Sequence, residues 1–236
     1  MDESRLVAFD LETTDLAPGA GLPEHVTVAA VRTPAGEVRH WHGDVAAAPG
    51  CTLGPEACRA LVRELTALVE GGLALVTWNG AAFDLQLLAR ESGLARECAL
   101  LAARHYDLMF QFLCLEGFPV SLAAVAAPLG LGKAAGLAGA DAPRAWREGQ
   151  HERVMEYLAG DVALTARVAA EAVRARRLRW ITRQGKPRSC AVDRLLTVEE
   201  CLRLPLPDTS WMRDPPQRAG YTGWIERALA AAPAAP

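Results

Sequence analysis

The chain has 236 residues, 51% hydrophobic and 6% aromatic, with 25 basic against 28 acidic side chains and a net charge of −3. That length suits one ordinary domain plus an extension, or two small domains, and the charge balance excludes a global basic field, so any grip on nucleic acid has to be local. No apolar run is long enough to cross a bilayer, no signal-peptide pattern opens the chain, and six scattered cysteines without a Cys-x-x-Cys pair argue against zinc and against a disulfide scaffold. A reduced, cytoplasmic, soluble protein is expected.

In chain order, Leu6-Val7-Ala8-Phe9 runs into Asp10, and Glu12 follows two positions on. In a strand these two acids point to one face, about 7 Å apart. Neighbouring carboxylates raise each other's pKa unless neutralised, and an oxygen-preferring divalent ion such as Mg²⁺ is the expected neutraliser. The alternative is an exposed strand end with two solvated acids. After a Pro/Gly loop over residues 15–23, extended stretches at 26–32 and 38–45 flank the turn residues Thr33-Pro34-Ala35-Gly36, which predicts an antiparallel meander.

The period then changes. Pro55 suits a first helical position, Leu61, Leu65, Leu68 and Val69 mark one face, and Gly71-Gly72 stops the helix. Residues 73–78 read as a buried strand. Asn79-Gly80 turns the chain into a second helix with Leu85, Leu88 and Ala89, and a short strand is expected over 106–109. Ser121 caps a helix that Pro128 ends, glycine-rich 130–143 reads as a mobile connection, and one long helix covers 151–178. Thr197 with Glu200 matches a capping box. Residues 1–180 are read as the folded domain and 181–236 as a Pro-rich C-terminal extension packing on it.

This order predicts an α/β fold, a mixed five-stranded sheet flanked by helices, with the first strand central and the fourth beside it. The turn at Asn79 then lies next to Asp10 and Glu12. Asp84 is a third acid for the same place, although the helix dipole alone favours an acid in a first turn. Asp161 is the fourth. Tyr157 lies four residues before it on one helical face, beside the apolar row Val154, Leu158 and Val162, so the pair belongs at the edge of the core. A half-exposed acid with a tyrosine packed on it is the plainer alternative.

Phe9-Asp10-Leu11-Glu12-Thr13-Thr14, Asn79-Gly80-Ala81-Ala82-Phe83-Asp84 and Tyr157-Leu158-Ala159-Gly160-Asp161 resemble, in order and spacing, the three motifs of the DEDD exonucleases, which have a ribonuclease-H-like fold. The tyrosine makes the chain similar to the DEDDy branch, to which the proofreading exonucleases of family-B DNA polymerases belong, and to its small standalone bacterial members. The resemblance implies that Asp10, Glu12, Asp84 and Asp161 hold two Mg²⁺ or Mn²⁺ ions at a single-stranded 3′ end, DNA favoured over RNA. It gives Tyr157 the task of orienting the attacking water, and puts Thr13, Asn79 and Phe83 beside the terminal nucleotide. A catalytically silent nucleic-acid-binding module and an interaction scaffold on the same fold are the competing expectations.

Between Ala172 and Val192 lie seven bases and no acid, Arg174, Arg176, Arg177, Arg179, Arg183, Lys186 and Arg188, which suggests a phosphate grip, with Trp180 available to stack on a base. A solvated helix end is the bland reading of the same run. His40 and His42 read as surface residues, Asp107 beside His105 as part of a structural strand segment, and Trp146, Trp211 and Trp224 as packing anchors.

Overall fold

A computed structural model describes residues 3–14, 25–132 and 137–231. The loop expected over 15–23 and part of the 130–143 connection lie outside these residues. Five strands, β1 (Leu6–Thr13), β2 (Val26–Arg32), β3 (Val38–His42), β4 (Ala74–Thr77) and β5 (Tyr106–Asp107), form one sheet in the order β3-β2-β1-β4-β5. The first three make the antiparallel meander, while β4 runs parallel to both β1 and β5. The fold is therefore the mixed five-stranded α/β arrangement that the element order predicts.

The pleat of β1 decides what happens on each side. Val7, Phe9 and Leu11 enter one core with α1 (Pro55–Glu70), α2 (Asp84–Ser92) and α3 (Ala95–Arg104). Leu6 and Ala8 enter the other, with α4 (Leu108–Glu116), α5 (Leu122–Ala126), α6 (Ala142–Arg147) and the long α7 (His151–Ala175). Asp10 and Glu12 share the parity of Leu6 and Ala8, so they face α7. The row Val154, Leu158 and Val162 is fully buried against that face.

Differences from the expected elements have local causes. The long helix stops at Ala175 rather than 178 because Arg176 takes a left-handed φ of 51°. The chain then makes a two-stranded hairpin, β6 (Arg177–Ile181) with β7 (Pro187–Ala191), where helix and tail were expected. The strand expected over 106–109 keeps only two residues, since Asp107 accepts the N–H of Phe110 and caps α4. Helix α4 is buried on every side from Leu108 to Cys114, which leaves no amphipathic period to read.

Two short elements close the chain, α8 (Val198–Cys201), which starts at the Thr197–Glu200 capping box, and α9 (Arg218–Ala230). Val198, Cys201, Trp224 and Ile225 join the α1–α3 core, and the Arg218 guanidinium donates to the carbonyls of Cys114, Leu202, Leu204 and Pro205. Trp146 is buried and donates to the Cys51 carbonyl at 2.8 Å. Trp211 is no packing anchor, with 67% of its surface exposed. Among the described residues no helix is long and apolar enough to cross a membrane.

Candidate active site

Strand β4 pairs with β1 only as far as Val76 opposite Ala8, and the chain leaves the sheet at Asn79, whose φ is 72°. The edge of β1 is open beyond that point. Into the opening points the N–H of Leu11, which donates to Asp10 Oδ1 at 3.0 Å and to Asp84 Oδ1 at 3.1 Å. One strand amide thus ties the first-turn acid of α2 to the strand acid. Burial first, and then the Asp10 carboxylate in hydrogen-bond contact with it, push Asp84 well above the ordinary carboxylate range. A carboxylate so placed holds its proton more tightly than a free one unless a cation takes the proton's place.

Helix α7 brings the third segment. Tyr157 and Asp161 are both buried, at 4% and 5% exposure, and the phenol O–H donates to the Asp161 carboxylate. Burial, then Asp161, then the charges of Glu12 and Asp10 raise the phenol's pKa far above its usual value, so Tyr157 is a hydrogen-bond donor and not a base at neutral pH. The three acids among these influences, Asp161, Glu12 and Asp10, come from both helix and strand. A Cβ at position 139 would sit 3.1 Å from the Tyr157 hydroxyl, so the glycine there lets the backbone pass close over the phenol.

Asp10, Glu12, Asp84, Tyr157 and Asp161 are therefore brought together. Asn79 adjoins them through the turn, and its Oδ1 is buried with no hydrogen-bond partner among the described residues. Phe83 lines a groove of about 230 Å³ with Ala82, Gln86, Leu87 and Arg90. Thr13, expected to meet the terminal sugar through its backbone or its hydroxyl, is completely buried at the end of β1, where a β-bulge shifts the register. Arg174, Arg177 and Arg179 are not brought to the acids. Arg174 is thirteen residues past Asp161 on the same helix, about 20 Å along the axis, and it pairs with Glu171. Trp180 is no stacking platform, being buried edge-on against Phe112 with ring centroids 4.9 Å apart.

The profile of the family RNase_H_2, of the RNase_H superfamily, matches residues 7–173. The chain belongs to the RNase H superfamily. Among solved structures 44 chains match. One is the family B DNA polymerase from the hyperthermophilic archaeon Pyrobaculum calidifontis, at 19% identity and a TM-score of 0.54, over 71% of this chain and 24% of that one. The RNase H-like chain thus spans about a quarter of the polymerase's length, and the likeness is one of fold. No curated protein sequence matches it. Superfamily membership supports a nuclease-like activity on a nucleic acid.

RNase H-like nucleases generally use divalent metals. Among the described residues no group of three or more His, Cys, Asp or Glu side chains stands in metal-holding geometry. The donor chemistry fits such an ion all the same. Glu12, Asp84 and Asp161 are buried carboxylates, and the contact of Asp84 with Asp10 is one that a cation relieves.

Asp107, expected to be structural, is so, and the structure adds which backbone it serves. Its carboxylate holds the Asn79–Ala81 turn from beneath. The available signal was an acid set directly before a helix that is apolar all round, a place where a charge survives only if donors surround it.

Proposed function

We propose that this chain is a divalent-metal-dependent 3′–5′ exonuclease of DEDDy type, acting on single-stranded ends and favouring DNA over RNA. What carries the reading is the meeting of Asp10, Glu12, Asp84, Tyr157 and Asp161, which come from three separate segments of the chain. In this reading Asp10, Glu12, Asp84 and Asp161 hold two Mg²⁺ or Mn²⁺ ions, which supply charge neutralisation at the scissile phosphodiester and a more acidic water.

The remaining work falls to the chain's own groups. Tyr157 keeps its proton and offers it to an oxygen at the reacting phosphate, while Asp161 fixes the ring's orientation by accepting that same O–H when the site is empty. Asn79, at the turn that leads into Asp84, shapes the site next to the terminal nucleotide. The Phe83 groove gives that nucleotide an apolar wall with Arg90 at its rim. Upstream phosphates reach the exposed Arg177 and Arg179 on β6, beyond the C-terminal end of α7.

The test is a 5′-labelled oligonucleotide, as matched DNA and RNA, incubated with Mg²⁺, Mn²⁺ or EDTA. Stepwise shortening from the 3′ end that EDTA abolishes is the expected result. Binding without shortening assigns the chain to a silent nucleic-acid-binding module, and neither outcome leaves a scaffold.

A further inference from the structure

The residues that deliver Asp84 are the five of the turn 79–83, and their conformation is not one a free chain keeps. Asn79 sits at a left-handed φ of 72°, and a Cβ at position 80 would fall 2.4 Å from Thr77 Oγ1. Three groups hold this turn, and none of them is among the converging acids. The Asp107 carboxylate, 1% exposed, accepts from Asn79 N at 2.9 Å through Oδ1 and from Ala81 N at 2.9 Å through Oδ2.

The Gly80 N–H between them donates to Thr77 Oγ1 at 3.1 Å. The proton positions follow from the surroundings. His105 Nδ1 lies 2.8 Å from the Ala102 carbonyl, which can only accept, so that nitrogen carries the proton. Nε2 is then the acceptor for the Thr77 hydroxyl at 3.0 Å, and this leaves Thr77 Oγ1 a lone pair for Gly80. The fourth contact comes from the far end of the chain. Trp224 Nε1, on α9, donates to the Ala81 carbonyl at 2.7 Å across a separation of 143 residues. Three successive amides and one carbonyl of the turn are thus all engaged.

We propose that Asp107 is a positioning residue for Asp84, and that helix α9, through Trp224, is part of the same brace. The proposal rests on the nuclease reading for its consequence in catalysis, though not for its structural content. Asp84 begins α2 directly after the turn, so a loosened turn lets its carboxylate drift from Leu11 N and Asp10. The C-terminal extension is then no passive cover: it supplies the hydrogen bond that completes the site's floor.

The experiment compares wild type with Trp224→Phe, which removes the indole N–H together with the pyrrole part of the ring, and with Asp107→Asn, which sets a donor against one of the turn's amides. Trp41→Phe, an indole whose buried N–H has no hydrogen-bond partner among the described residues, is the control. Three quantities are read: hydrogen exchange of the amides over residues 79–84, the rise in Tm on adding Mn²⁺, and kcat against KM on the labelled oligonucleotide.

In Trp224→Phe and Asp107→Asn the turn amides exchange faster, the Mn²⁺ needed for half the Tm rise increases, and kcat falls about tenfold or more at nearly constant KM. Trp41→Phe moves none of these. Unchanged exchange and unchanged Mn²⁺ response in Trp224→Phe overturn the brace, whatever the activity. A wild type that fails to cut while Trp224→Phe still loosens the turn overturns the nuclease reading and leaves the brace standing.

Discussion

Along α7, the turn that holds Tyr157 and Asp161 buries its polar groups and ties them to acids on β1, whereas the last turn, at Arg174, opens into water and leads to a hairpin bearing Arg177, Arg179, Arg183, Lys186 and Arg188. At the first end each group's protonation is set by its neighbours, as Asp84 and Tyr157 show. At the second, the arginines of β6 alternate outward while Leu178 and Trp180 point into the core. Charges fixed in a buried pocket act strongly on one another, and charges in solvent act weakly and are screened by salt. The first end is suited to chemistry and the second to holding a polyanion.

The largest effects belong to the buried end. Asp161→Asn or Asp10→Asn lowers kcat by about 10²- to 10³-fold, the range for losing one charge-stabilising group, with the fold retained by circular dichroism. Tyr157→Phe loses about 10²-fold through the missing hydroxyl, and KM is little changed. Near-normal turnover in any of these variants removes that residue from the reaction.

A stability effect of opposite sign comes next. Asp84 has its folded pKa raised, so between the unfolded value near 3.9 and the raised one the native state binds the extra proton. The metal-free protein therefore loses stability as pH rises through that window. Asp84→Asn keeps the acceptor for Leu11 N and removes the charge, so at pH 7 it raises the metal-free Tm by about 2 °C for each kcal/mol relieved while abolishing the Mn²⁺-induced rise. A lower Tm in that variant refutes the crowded-carboxylate account. The smallest effect lies at the exposed end. In Arg177→Gln/Arg179→Gln the salt slope of single-strand binding shrinks by about 1.4, with kcat unchanged, and identical slopes refute a role in strand binding.

Much of the sheet was legible because its signals are local. The alternation through Asp10 and Glu12, the turn at Thr33-Pro34-Ala35-Gly36 and Pro55 at a helix start each carry their own physics. The face of α7 was legible for the same reason, through the row Val154, Leu158 and Val162. What could not be read were elements defined by their surroundings. Helix α4 lacks a polar face, and the β6–β7 hairpin alternates charged with apolar residues that continue a helical run without a break in composition. Thr13 and Trp180 look like contact residues in a string of letters, and only packing shows them sealed. Asp107 and Trp224 converge on one turn from 26 and 143 residues beyond Ala81, a relation that no local pattern encodes.

The central claim is that acids from β1, α2 and α7 surround Tyr157 and share divalent ions there. Paramagnetic Mn²⁺ added to protein carrying ¹³C-labelled tyrosine reads it directly, because the chain has only three tyrosines, Tyr106, Tyr157 and Tyr221. The Tyr157 ring signal is expected to broaden first, at substoichiometric Mn²⁺, and to stay sharp in Asp10→Asn. A Tyr157 signal that broadens no sooner than those of Tyr106 and Tyr221 contradicts the account.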